Sequence, residues 1–490
     1  MESRPALELV ANLCGELLSG RINYCHWKSN AAIDRSAAGE NDLDLLVSRE
    51  DSQRFLEILF RLGFREACEP PDQRLPGVRD FYGYDKKSDR LVHAHVHFQL
   101  VLGHDFSKNY HIPLETPYLE SATVHGIFRI PSPEFELALF VIRMVIKHST
   151  LDAILMRHGR LSSSERNELE FLQTSTTAAK VMEIYEKHLP YIDCGLYEAC
   201  LQSLQPGCSL FHRISAGRQL QKKLRSCARR PPISDLILKF SQRVIKPIRS
   251  RLHMPGSKKR MANGGLLIAI VGGDGSGKTT AINGIFSRLS REFEVVKFHM
   301  GKPSWSGRTI LIRGIIKIGR LLRLYPFIKE GSEYAFNTGK PVFPGYPWLL
   351  REVCTARDRF LTYDKARRRA TNGRLVVCDR YPLPEVKFMD GPQVERVTRD
   401  ITPGKLISAL ARIEIRYYEQ ISRPDLLIVL RLAPEISVQR KTDESPETVR
   451  PRAEEMWKVD WSKTPGRIID AGQGKTEVLS DLMALIWSNQ

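Results

Sequence analysis

No run of about 18 consecutive apolar residues occurs in this chain, so the sequence offers no membrane-spanning helix. The opening stretch, MESRPALELVANLCGELLSG, has no basic n-region ahead of an apolar core, and no secretory signal is expected from it. The nine cysteines are scattered singly and never in CxxC spacing. An odd, dispersed set suits a reducing cytoplasm better than a disulfide framework. There is no internal repeat and no low-complexity tract. What remains is an ordinary globular composition, 42% hydrophobic and 27% charged. At 490 residues the chain is too long for one hydrophobic core, so two or three domains are expected.

Acidic residues are nearly missing from one window. Between Phe211 and Arg260 there are fifteen Lys or Arg and a single acid, Asp235, so this window supplies +14 of the formal +18. The high overall charge therefore describes a segment and not the whole chain. Within it, "HRISAGRQLQKKLRSCARRPP" interleaves Ile214, Leu220 and Leu224 with cations. Such a segment can dock on an anionic membrane surface or on nucleic acid. A solvated linker between domains is the favoured reading, since Phe211 and Phe240 are the only aromatics in the window.

Residues 1–132 mix helix and strand. "NDLDLLVS" and "RLVHAHVHFQLV" read as strands. "FLEILFRLGF" between them reads as a helix, with Phe55, Ile58, Leu59 and Leu62 at helical spacing. Ser132-Pro133-Glu134 is a helix-start signal, followed by Phe135, Leu139, Ile142 and Ile146. Residues 133–260 read as helices and polar loops, a helical basic connector ending in the linker "HMPGSKKRMANGG". From residue 261 short apolar runs (LLIAIV, EVVKFH, RLVVCD, DLLIVLRL) alternate with helical stretches. That pattern predicts a parallel sheet with crossover helices.

"IAIVGGDGSGKTT" holds Gly272-x4-Gly277-Lys278-Thr279, the P-loop pattern. Glycines let backbone N–H groups converge on phosphates, and the following helix N-terminus adds positive potential. Lys278 reaches the β and γ phosphates, and the Thr279 hydroxyl ligates Mg²⁺. The flanks fit: an apolar strand precedes the loop, and a helix with Ile282, Ile285 and Leu289 on one face follows it. The expected cofactors are ATP and Mg²⁺.

"GGDGSGKTT" also resembles the loop of thymidylate kinases. "LVVCDRY" (375–381), "ARDRF" with Arg359, "RPDLLIVLRLAPEISVQR" and "RIIDAG" resemble further motifs of that family, over about 266–490. The resemblance implies a P-loop kinase domain at 261–490 that transfers a phosphoryl group to a nucleoside monophosphate, dTMP above all. It implies nucleotide contacts from Gly272, Asp274, Gly275, Ser276, Gly277, Lys278, Thr279 and Thr280. Asp274 would meet the acceptor's sugar hydroxyl, Asp379 the Mg²⁺ shell, Arg380 the acceptor phosphate and Arg359 the acceptor side. Because Gly275, not a basic residue, follows Asp274, the resemblance puts weight on a lid arginine. Arg440 is the first candidate, with Lys441, Arg450 or Arg452 beside it. Without the resemblance, Asp379 can equally cap a turn, Arg380 can pair with an acid, and Arg359 can belong to a solvated face. The acceptor-side segments depart from the family. A long aromatic and basic insertion occupies 301–353, Lys302 stands where an arginine is usual, and "PLPEVKFMDGP" follows Tyr381.

"GENDLDLLV" puts Asp42 and Asp44 two apart on a strand, on one face, where two carboxylates can hold Mg²⁺. This resembles a nucleotidyltransferase-fold domain, α+β in class, over 1–132. The family's Gly-Ser turn is replaced by "HWKSN". Its third acid, expected on a later strand, is replaced by His93, His95 and His97. Those histidines also share one face and can bind a transition metal or phosphate.

The expected fold is therefore α/β. A P-loop domain with a parallel sheet follows a nucleotidyltransferase-like α+β domain (1–132) and a helical connector (133–260). The expected function is cytoplasmic, ATP-dependent phosphoryl transfer to a small-molecule acceptor. A sugar or glycan acceptor is one alternative. The other is a nucleotide-gated regulatory or nucleic-acid-binding protein using 211–260. "TILIRGIIKIGRLLRLY", with Arg313, Lys317 and Arg320, can cover a cleft, lie on a membrane or pack on the N-terminal part.

Overall fold

A computed structural model describes residues 5–103, 107–150, 154, 160–251, 258–324, 345–386, 391–398, 404–442 and 444–490. Residues 253–257 of the linker "HMPGSKKRMANGG", the stretch 325–344 of the long insertion and residues 387–390 after Tyr381 lie outside the described residues. The chain divides into two units, Met1–Lys259 and Arg260–Gln490.

In the first unit, strands β1 (Tyr24–His26), β2 (Leu43–Val47), β3 (Arg65–Cys68), β4 (Val78–Asp85) and β5 (Arg90–His97) lie in the order β1-β2-β5-β4-β3. The pairing is mixed: β2 and β5 run parallel, the other neighbours antiparallel. Helices α1 (Glu8–Ser19) and α2 (Ser52–Arg61) cover one face. Phe55, Ile58 and Leu59 of α2 are buried there with Leu13, Leu17, Phe64 and Phe81.

The next helix, α3 (Pro133–His148), overturns the expected connector. A connector helix would bury one stripe. α3 buries twelve side chains all round its axis, including Phe135, Leu139, Ile142 and Ile146. Such a helix needs partners on every side. On one side it packs with Trp27, Leu100, Leu102 and Tyr118. On the other it packs with α4 (Ser163–Ser175), α5 (Ala178–His188), α6 (Cys194–Ser203) and α7 (Leu210–Lys223), all in one core. Residues 133–259 are thus part of the first unit. The basic window is corrected in the same way. Arg213 of α7 is buried and donates to His148 O at 2.7 Å. Gly217 lies so close to Ser149 that a Cβ there would sit 2.2 Å from its carbonyl oxygen. Arg230 N donates to Asn109 Oδ1 at 2.9 Å. Helix α8 (Pro232–Arg251) keeps an exposed apolar row, with Ile233, Ile237, Val244 and Ile248.

Glu136, on α3, is a buried acid. It accepts from Asn30 Nδ2 at 2.9 Å and from Asn30 N at 3.3 Å. Burial, the largest influence, holds it up at about 7 against an ordinary 4.5. A raised carboxyl contributes stability that is present below pH 4.5 and lost as pH rises through about 7. Glu136→Gln cannot ionise. Its stability relative to wild type should therefore rise between pH 5 and pH 8, by roughly 2–3 kcal/mol. Thermal melts of both full chains across that range check this, and a constant difference would refute it.

The second unit has a five-stranded, all-parallel sheet. Its strands are β6 (Leu267–Gly272), β7 (Val295–His299), β8 (Leu375–Asp379), β9 (Leu426–Arg431) and β10 (Arg467–Asp470), in the order β7-β8-β6-β9-β10. β6 is buried along its whole length, and β8 and β9 along nearly all of theirs, as a sheet covered on both faces requires. The crossovers carry helices α9 (Lys278–Leu289), α10 (Gly307–Leu321), α11 (Tyr346–Thr371), α12 (Lys405–Glu419), α13 (Pro434–Arg440) and α14 (Pro446–Lys458). Helix α15 (Lys475–Ser488) closes the chain. The order reverses at β6, with β8 on one side and β9 on the other. A crevice opens at the carboxyl ends of strands at such a point. Among the described residues no helix is long and apolar enough to cross a membrane.

Candidate functional site

Residues 273–277 link the end of β6 to the start of α9. Gly275 and Gly277 take φ of +75° and +81°, a left-handed backbone that side chains disfavour. A Cβ on Gly275 would also meet Ser437 O at 2.9 Å. The turn therefore needs glycine at both positions. Lys278 folds back over it, donating to Gly272 O at 2.9 Å and Gly273 O at 2.8 Å. Thr279 and Thr280 are exposed in the first turn of α9, where N–H groups have no intrahelical acceptor.

The parallel register brings the second motif beside the first. Ile270 of β6 pairs with Asp379 of β8, so β8 ends two residues short of Gly272 and its exit lies beside the glycine turn. Lys278, Gly272, Arg380 and Tyr381 line one small pocket with Met456. Arg380 has φ +53°, unusual for a side chain this bulky and a mark of a constrained site. Its guanidinium lies 3.5 Å from Asp274 Oδ1. Asp274 is 4% exposed and meets Arg452 Nη1 through its other oxygen at 3.1 Å. One loop carboxylate therefore holds two arginines. Arg440 stands beside the loop and donates to Ala471 O at 3.0 Å. Of the lid cations considered, Arg452 is the one joined to the loop acid.

Three oxygens around the loop are buried and have no hydrogen-bond partner among the described residues: Ser276 Oγ, Ser437 Oγ and Asp379 Oδ1. Buried polar atoms are nearly always satisfied, so this cluster suits a polar ligand or a hard cation. Asp379 Oδ2 has a long approach to His299 Nε2, at 3.8 Å.

Arg359 is neither on a solvated face nor joined to the loop. It is 6% exposed on α11, donates to Met300 O at 3.0 Å and Gly301 O at 3.3 Å, and bonds the Tyr418 hydroxyl. It ties down the turn after β7. Arg359→Ala should cost about 2–4 kcal/mol, since it strips two carbonyls of their donors and leaves a cavity. A loss under 1 kcal/mol in denaturant unfolding would show that this tie is dispensable. In α10, Arg313 covers the Trp305 ring at 4.3 Å and reaches Thr355 Oγ1 at 3.3 Å. Ile310, Leu311, Ile315, Ile318 and Leu321 of that helix are exposed.

Asp42 and Asp44 lie in the first unit and are separately engaged. Asp42 Oδ1 meets His93 Nδ1 at 2.9 Å, and His93 Nε2 meets Asp80 Oδ1 at 2.8 Å. Lys259 Nζ joins Asp80 at 3.0 Å and donates to the Tyr82 hydroxyl at 2.9 Å. Asp80 lies on β4, whose register sets it opposite His95. Asp44 meets Lys28 Nζ at 2.8 Å and His95 Nδ1 at 3.1 Å. Burial opposes its ionisation, but Lys28 and His95 hold it well below the usual carboxylate range. Burial, then the neighbouring His95, pushes His97 well below an ordinary imidazole. His93 is shifted the other way: its two carboxylate partners outweigh burial.

No family model matches the chain. A stretch of 220 residues is 30% identical to the uncharacterized ATP-binding protein YghR of Escherichia coli K12, covering 44% of this chain and 83% of that protein. Another relative, the uncharacterized ATP-binding protein YghS of the same strain, is 29% identical over 187 residues, 36% of this chain and 73% of the relative. Among solved structures, a thymidylate kinase from Candida albicans is 20% identical and covers 46% of this chain and 92% of its own, with a TM-score of 0.29. With its P-loop built on a parallel sheet and its likeness to YghR spanning most of that protein, the chain belongs to the family of the ATP-binding protein YghR.

Proposed function

We propose that the second unit is an ATP-dependent kinase that moves the γ-phosphoryl group to a small-molecule acceptor, a nucleoside monophosphate and most specifically dTMP. The observation that carries this reading is the meeting of Lys278 and Arg380 in one pocket beside the glycine turn. In the reaction an acceptor phosphate oxygen bonds to the γ-phosphorus, the bond to the β-phosphate oxygen breaks, and ADP leaves. Such transfer asks for position, charge neutralisation and exclusion of water more than for covalent help. The loop amides and Lys278 hold the triphosphate. Arg380 offers the acceptor phosphate two parallel hydrogen bonds. Arg452 and Arg440 supply positive charge from the lid side. Thr279 and the unpartnered Asp379 Oδ1 are oxygen donors fit to hold Mg²⁺, which when bound neutralises charge on the transferring group. The thymidylate-kinase-like motifs support dTMP. The changed sequence of 301–353 and of the segment after Tyr381 supports a different acceptor, such as a sugar or a glycan. The nine unpaired cysteines suit a reducing cytoplasm.

The test is ADP release from ATP and Mg²⁺ with a panel of nucleoside monophosphates and sugars, using Lys278→Ala as the blank. Stimulation by dTMP supports the specific reading. Stimulation by a sugar alone keeps the kinase and replaces the acceptor. Silence with every acceptor overturns the kinase reading.

A further inference from the structure

The first unit holds a cluster that the proposed phosphoryl transfer does not use. His93, His95 and His97 alternate along one face of β5, and their surroundings differ. Both ring nitrogens of His93 face carboxylates, Asp42 at 2.9 Å and Asp80 at 2.8 Å. That ring acts as a bridge between two acids and has no nitrogen left for a ligand. His95 and His97 point at each other instead, Nδ1 to Nε2, at 3.3 Å. Asp44, paired with His95 across the parallel β2–β5 ladder, brings Oδ1 to 3.1 Å from the same His95 nitrogen. One carboxylate oxygen and two imidazole nitrogens thus converge, all within 4.8 Å of one another.

We propose that Asp44, His95 and His97 bind one divalent first-row transition-metal ion, of the zinc class. Two donors each about 2.0–2.1 Å from a tetrahedral ion stand about 3.3 Å apart, close to the 3.1 Å and 3.3 Å that separate His95 Nδ1 from Asp44 Oδ1 and His97 Nε2. The donor set is two imidazoles and one carboxylate, which suits zinc, iron, nickel or cobalt and not Mg²⁺, which takes oxygen ligands. Three protein donors leave a coordination position open, as in catalytic and not structural zinc sites. Asp44 and His97 both line a cavity of about 570 Å³ within this unit, so the open position has room for an exogenous ligand. Lys28, 2.8 Å from the same Asp44 oxygen, now supplies the counter-charge. It also lines the cavity and is 23% exposed, so it can swing aside when an ion replaces it. The edges of the site are fixed by other contacts. Trp27 packs edge-on against His97 with ring centres 5.0 Å apart.

The experiment uses the full-length, nucleotide-free protein, stripped with chelator and titrated with Zn²⁺ by calorimetry and with Co²⁺ by visible absorption. Wild type should bind one ion per chain, and Co²⁺ should give the intense d–d bands of a low-symmetry site with nitrogen ligands. His95→Gln and His97→Ala should each weaken Zn²⁺ binding by at least about 100-fold, more than an outer-shell change does. Lys28→Ala should bind at least as tightly as wild type. Asp379→Asn, at the P-loop, should bind as wild type does, which separates this site from the kinase reading. Lack of binding of both ions to wild type overturns the proposal. Wild-type affinity in His95→Gln, or weakened affinity in Lys28→Ala, overturns it as well. Should His97→Ala fail to fold, the wild-type Co²⁺ spectrum and the partly exposed His95 and Lys28 positions still decide.

Discussion

Lys278→Ala is expected to lower phosphoryl transfer by at least about 10²–10³-fold, the usual cost of removing one preorganised charge that faces the transition state. The fold should survive. Lys278 is half-exposed, and it donates to the loop carbonyls of Gly272 and Gly273. The loss should appear in kcat and in nucleotide affinity together, because the ammonium meets the triphosphate before and during transfer. ADP release with the best acceptor measures the rate, and circular dichroism with a thermal melt checks the fold. Transfer within tenfold of wild type, in a folded variant, would remove the phosphate loop from the chemistry.

Arg380→Ala is expected to reduce kcat/KM for the acceptor by a similar factor, about 10²–10³, with ATP affinity changed by only a few-fold. Arg380 lines the loop pocket opposite Lys278 and is held near Asp274, which keeps Arg452 as a second partner. The loop carboxylate therefore stays paired in the variant, and the local structure has no unbalanced buried charge to relax. Arg380→Lys should recover a minor part of the activity, since an ammonium cannot give two parallel bonds to a phosphate. Steady-state kinetics with varied acceptor, beside direct measurement of nucleotide binding, tell these apart. A large loss of ATP affinity with acceptor kinetics intact would move Arg380 to the donor side.

Much of the second unit was legible in the chain. Its strands are continuous apolar runs because both faces of a parallel sheet are covered, and its glycine turn has a fixed spacing because backbone geometry demands it. The partner of Asp274 was not legible. Arg440, Lys441, Arg450 and Arg452 are equally basic in sequence, and only the packing of α13 and α14 on the loop joins Arg452 to the acid. Arg359 was read as an acceptor or surface residue. Its burial against Met300 and Gly301 follows from the course of α11, which spacing alone does not reveal. In the first unit, Asp80 carried no signal in "VRDFYGYD", because its meaning depends on which strand β4 pairs with and in what register.

The sequence by itself determined the elements and the local chemistry: the P-loop, the Asp379-Arg380 strand end, the helix start at Ser132 and the alternating histidines of β5. These depend on neighbours a few residues apart, which fix backbone geometry and side-chain facing. The tertiary structure decided what distant residues do to one another. It joined 133–259 to the first unit, because α3 is apolar on every side and must be surrounded. It divided three look-alike histidines into one ion-pair bridge and two converging donors, because Asp42 arrives from just before β2, Asp44 from β2 and Asp80 from β4. Charge and burial act through space, so sequence spacing could set the histidines on one face but could not say which of them would be left with a nitrogen to give.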